Sequence, residues 1–110
     1  MKTINSGDIF WVDLGLPTPQ SGHEQAHKRP CVIIKPLPEL LLAVIVPITS
    51  QYKANRHFSV VKIDCLNSTS FVLCHQIRTV SYNRLLNKEV ELSETDFDKI
   101  ITILADFLEI

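Results

Sequence analysis

A single change of period constrains this chain most. Up to Val80 the apolar residues come in six short runs, at 8–14, 31–35, 41–49, 59–64, 71–74 and 77–80, rich in Val, Ile, Phe and Trp and divided by turn formers. A helical period appears only after Ser93, where Phe97, Ile100, Ile101, Leu104, Phe107 and Leu108 fall on one face. Ser93 is placed to cap that helix, and Glu94 and Asp96 put negative charge at its positive end. Ile103 lies off the face and reads as a lone exposed apolar residue. Short strands without long helices between them exclude an alternating βαβ sheet and predict a mainly β domain, a small barrel with a C-terminal helix.

The stretch Leu40 to Ile48 has nine apolar residues and barely alternates. It therefore predicts a central strand covered on both faces, or one that enters a subunit contact. It is also the longest apolar stretch, less than half of the roughly 20 residues that a membrane span needs. The N-terminal residues lack the apolar run of a signal peptide, so a soluble cytosolic protein is expected. With 110 residues, one domain over 1–110 is expected. Cys31, Cys65 and Cys74 have no C-x-x-C spacing and are expected as buried small hydrophobes, not as zinc ligands or disulfides.

The net charge of −1 hides an asymmetry. Residues 1–88 hold ten Lys/Arg and five Asp/Glu, a balance of +5, whereas residues 89–110 hold Lys99 against seven acids, a balance of −6. A basic body on an otherwise balanced chain suits an anionic partner.

Two polar loops, 15–28 and 50–57, interrupt the strands. The first ends in Glu24, His27, Lys28 and Arg29, one acid and three potential cations at the mouth of a strand. A phosphodiester substrate needs cations to offset the charge that develops at a five-coordinate phosphorus, and the fork of Arg29 suits two phosphate oxygens. Cleavage of RNA further needs a base for the 2'-hydroxyl and an acid for the leaving oxygen, roles open to Glu24 or a histidine. A solvated turn with incidental charge has the same composition. Pro47-Ile48-Thr49-Ser50-Gln51 places hydroxyls and an amide at a strand end, where they either donate to phosphate or cap a turn. Gln76 and Arg78 are expected to share a strand face. Cys74 and His75, being adjacent, are expected to face apart, which argues against a Cys-His catalytic pair. His23, Glu24 and His27 lack a fourth metal ligand, so no metal and no cofactor is expected.

Taken in order, these segments resemble the MazF/PemK family of toxins. Gly7-Asp8-Ile9-Phe10-Trp11-Val12-Asp13 is similar to the family's G-D-[IV]-x-x-V-D strand, and Gly22-His23-Glu24-Gln25-Ala26-His27-Lys28-Arg29-Pro30 to its G-x-E-Q-x-x-x-R-P loop. Pro47 to Gln51 resembles its [IT]-T-x-Q element, and Phe71 to Val80 its L-x-[DE]-Q-[IV]-[RK]-[ST]-[IV] region. The resemblance implies an SH3-like barrel of CcdB/PemK type and a homodimer. It implies a sequence-selective, metal-independent endoribonuclease acting on single-stranded RNA, with 2',3'-cyclic phosphate and 5'-hydroxyl ends. The partner it implies is a separately encoded antitoxin that covers the RNA groove. Carried over by residue, it implies catalytic roles for Arg29, Thr49 and Glu24. Substrate contacts are expected from His23, Gln25, His27, Lys28, Ser50, Gln51, Arg56, Gln76 and Arg78. The alternatives are a CcdB-like toxin that binds DNA gyrase, and an inactive member that only binds antitoxin. The chain departs from the pattern in the added Leu16–Ser21, in His23 and His27 where small residues are common, and in His75 where many members carry an acid.

Overall fold

The computed structural model describes residues 3–15, 27–50 and 57–110. Seven strands, β1 (Asp8–Asp13), β2 (Lys28–Leu37), β3 (Leu42–Thr49), β4 (Val60–Ile63), β5 (Ser70–Leu73), β6 (Arg78–Ser81) and β7 (Leu85–Glu91), precede the helix α1 (Glu94–Leu108). All pairings are antiparallel, in the order β4-β5-β3-β2-β1-β7, with β6 on β3. Strand β3 changes neighbour along its length: Leu42 to Ile45 pair with β6, while Ile48 and Thr49 pair with β5. That exchange splits the sheet into a barrel wall of β1, β2, β3, β6 and β7 and an outlying β4–β5 hairpin.

Two apolar clusters explain why the central strands do not alternate. Consecutive residues of a strand face opposite sides, and here both sides are filled. Phe10, Val12, Cys31, Ile33, Ala43, Ile45, Val80 and Leu85 form one cluster. Ile9, Val32, Val46, Ile48, Val61 and Val72 form the other, closed by Ile100 and Leu104 of α1. The expectation of a strand covered on both faces holds from Ala43 onward. It fails for Leu40 and Leu41, which are 64% and 63% exposed. They leave the strand in a short 3-10 turn, Pro38–Leu40, with Leu41 at φ 55°.

Other expectations need correction. Strand β7 was not foreseen, because Leu86 to Glu89 are exposed and only Leu85 is fully buried; an edge strand carries little apolar pattern. Strand β2 begins three residues early, since Pro30 pairs with Trp11 at a point before β3 joins at Cys31, a one-sided setting in which a sheet accepts proline. Cys74–Gln76 is a 3-10 turn, so Gln76 does not share a face of β6 with Arg78. Cys74 is nonetheless buried and His75 exposed. On α1, Ile103 is half-buried and packs against the core, while Ile101 and Leu108 are 38% and 47% exposed, so the buried face is rotated from the expected one.

The cap is as read: Ser93 Oγ accepts from the Asp96 N–H at 3.1 Å. Ser93→Ala is expected to cost about 1 kcal/mol, read as a lower urea midpoint at unchanged slope.

Candidate functional site

The antiparallel β2–β3 pair brings the start of one strand to the end of the other. Cys31 faces Pro47, Val32 faces Val46 and Ile33 faces Ile45. Beyond Cys31 and Pro47 the two strands part: Arg29 pairs with Val12 of β1, and Thr49 pairs with Phe71 of β5. Arg29 is exposed on β2, while Thr49 is only 8% exposed at the end of β3. Ser50, the next residue, is exposed.

Arg78 approaches from the third strand. It pairs with Ile45 on β3, is half-buried, and shares a face of β6 with buried Val80. Its charge and that of Arg29 meet at Cys31, two residues after Arg29 on the same strand. Burial pushes the Cys31 thiol up to about 12, against the opposing pull of Arg78 and then Arg29. Both charges therefore act on this part of the barrel wall, and the Cys31 thiol stays protonated and cannot serve as a nucleophile. Cys74 is pushed up to about 12 and Cys65 is raised, both chiefly by burial, and all three cysteines are free.

Lys28 and His27 stand at the same end of β2 as Arg29. Lys28 is exposed and pairs with Asp13. His27 has φ 64°, a left-handed conformation that explains why glycine suits this position and that a histidine tolerates better than most residues. The Leu14 N–H donates to the His27 carbonyl at 2.7 Å, and the His27 N–H donates to the Gly15 carbonyl. Gly15, at φ 82°, and His27 therefore close a neck at the base of the long loop. Arg84 braces it by donating to the Asp13 carbonyl at 3.0 Å.

Lys28 and Arg29 open β2 just after His27, Thr49 closes β3 just before Ser50, and Arg78 opens β6. Gln76 lies half-buried on the turn before β6. His23, Glu24, Gln25, Gln51 and Arg56 lie outside the described residues. Among the described residues no group of three or more His, Cys, Asp or Glu side chains could hold a metal, and no helix is long and apolar enough to cross a membrane. The sequence reading missed that the charges of Arg29 and Arg78 both act on Cys31, although its i, i+2 spacing from Arg29 is a signal for the first of them. It also missed a polar cluster of His57, Ser59 and His75, in which Ser59 Oγ lies 2.6 Å from His57 Nδ1 and 2.9 Å from His75 Nδ1.

A family model described as PemK-like, MazF-like toxin of type II toxin-antitoxin system matches residues 5–108. The chain is 33% identical over 104 residues to the endoribonuclease MazF of Staphylococcus saprophyticus, covering 88% of this chain and 84% of that one. Its fold is similar to the crystal structure of MazF from Deinococcus radiodurans, with a TM-score of 0.82 at 23% identity and all of both chains covered. It is also similar to a mycobacterial endoribonuclease in complex with its cognate antitoxin, with a TM-score of 0.76 at 20% identity over 98% of this chain and 97% of that one.

Proposed function

Because this chain belongs to the PemK-like, MazF-like toxins of type II toxin-antitoxin systems, we propose that it is an endoribonuclease cutting single-stranded RNA without a metal, and that Arg29 and Thr49 carry the chemistry. The observation that supports this most directly is that the charges of Arg29, exposed on β2, and of Arg78, half-buried on β6, both act on Cys31 of the barrel wall. Messenger RNA is the substrate, and the cytoplasm is where the protein meets it.

In the proposed reaction the 2'-oxygen bonds to phosphorus and the bond to the 5'-oxygen breaks. A base takes the 2'-hydroxyl proton, and an acid delivers one to the leaving oxygen. The products are a 2',3'-cyclic phosphate and a 5'-hydroxyl. Arg29 stays protonated and offsets the charge that builds on the non-bridging oxygens, holding two of them with its fork. Thr49 donates its hydroxyl to the same phosphate. Arg78, Lys28 and Ser50 hold the flanking backbone, which fixes register without reading bases. Glu24 and His27 are the acid-base candidates on the substrate loop, with His23, Gln25, Gln51, Arg56 and Gln76 as further substrate contacts. Two copies form the working dimer, and the antitoxin neutralises it by covering the groove.

Incubated with long single-stranded RNA in EDTA, the protein is expected to cut at a limited set of sites. Thr49→Ala should slow cutting by about tenfold, consistent with the loss of one charge-assisted hydrogen bond, and Thr49→Ser should restore most of it. Intact RNA after incubation with folded protein would sink the reading.

A further inference from the structure

Ser59 is 0% exposed at the start of β4, and its polar groups face two chain segments at once. Its carbonyl accepts from the Cys74 N–H at 3.0 Å. Its hydroxyl lies 2.9 Å from His75 Nδ1 and 2.6 Å from His57 Nδ1, and its N–H donates to His57 Nδ1 at 3.2 Å.

The Ser59 N–H donates to His57 Nδ1, and the Ser59 hydroxyl lies within hydrogen-bond distance of both imidazoles. Full burial rules Ser59 out as a nucleophile, despite its close histidine partner. It is a hub that ties the residue after the second loop, His57, to the turn Cys74–Gln76. That turn carries Gln76 and leads through Ile77 into Arg78.

We propose that Ser59 is a positioning residue for RNA cleavage: through His57 and His75 it fixes the turn that sets Gln76 and Arg78. The proposal rests on the RNA-cleavage reading above.

Among the described residues, none supplies a counter-charge to His75. Its imidazole is held below the ordinary value of 6.5 by burial first and by His57 second. The acids of the last turn of α1, Asp106 and Glu109, and Lys62 of β4 are not among the causes. The helix meets this region through Phe107, whose ring centroid is 6.4 Å from that of Phe58, and the Cys74 thiol of the turn is neutral. The unfolded chain therefore takes up a proton at His75 before the folded one does, so the His75 contribution to folded stability falls as pH drops below about 6.5.

The test is the split between KM and kcat for a single-stranded RNA. In Ser59→Ala, KM is expected to rise roughly tenfold, the equivalent of one to two net hydrogen bonds, with kcat within about twofold. His75→Ala, at an exposed position that leaves the fold intact, should do the same. Loss of folded protein alone would instead lower apparent kcat and leave KM unchanged. Unchanged KM in both Ser59→Ala and His75→Ala, beside an active parent, overturns this proposal alone. A parent that cuts no RNA overturns the cleavage reading and this proposal with it.

Discussion

Replacing Arg29 with alanine is expected to slow RNA cleavage by roughly 10²- to 10³-fold, the range for losing one preorganised donor to a developing oxyanion. The fold should not notice, because Arg29 is exposed and its strand is held by pairing on both sides of Cys31. The measurement is single-turnover cleavage of a defined oligonucleotide beside a urea melt of the same preparation. Arg29→Lys keeps the charge but loses the planar fork, so it should recover only part of the rate. Activity within tenfold of the parent in Arg29→Ala, with an unchanged melt, would remove Arg29 from the chemistry and leave Arg78 as the cation to test.

The largest effect on stability is expected at Phe10. Its side chain is 2% exposed and lies in the cluster enclosed by β1, β2, β3, β6 and β7. Phe10→Ala should cost about 3–5 kcal/mol, because the cavity left by a ring is lined by strands that cannot collapse without breaking ladder bonds. Against the roughly 5–15 kcal/mol that holds a typical domain together, that loss brings the protein close to unfolding at ordinary temperature. The urea midpoint measures it. A shift worth less than about 1 kcal/mol would mean that the barrel interior repacks around the gap.

Elements whose side chains meet the core were legible in the sequence, and those held by the backbone or by distant contacts were not. Val32 and Ile33 face opposite clusters, and an uninterrupted apolar run is the signature of that arrangement. Ser93 and the acids after it marked the helix start, because a cap is a local interaction. Strand β7 escaped because its bond to the fold is mostly main-chain pairing with β1, aided by contacts such as the Trp11 N–H donating to Glu89 at 2.9 Å. Arg29 and Thr49 could be named from their motifs, but the strands they sit on, one pairing Arg29 with Val12 and the other Thr49 with Phe71, depend on long-range pairing that no local pattern shows. The Ser59 hub was invisible because Ser59 and His75 are sixteen residues apart, joined only when β4 pairs with β5.

The neck at Gly15 and His27 frees the barrel from the length of the sequence between them. Its two main-chain bonds, from Leu14 to His27 and from His27 to Gly15, use no side chain from residues 16–26. Lengthening a closed segment costs little, about 0.6 kcal/mol for each doubling. Insertions between Gly15 and His27 are therefore expected to leave β1 and β2 paired.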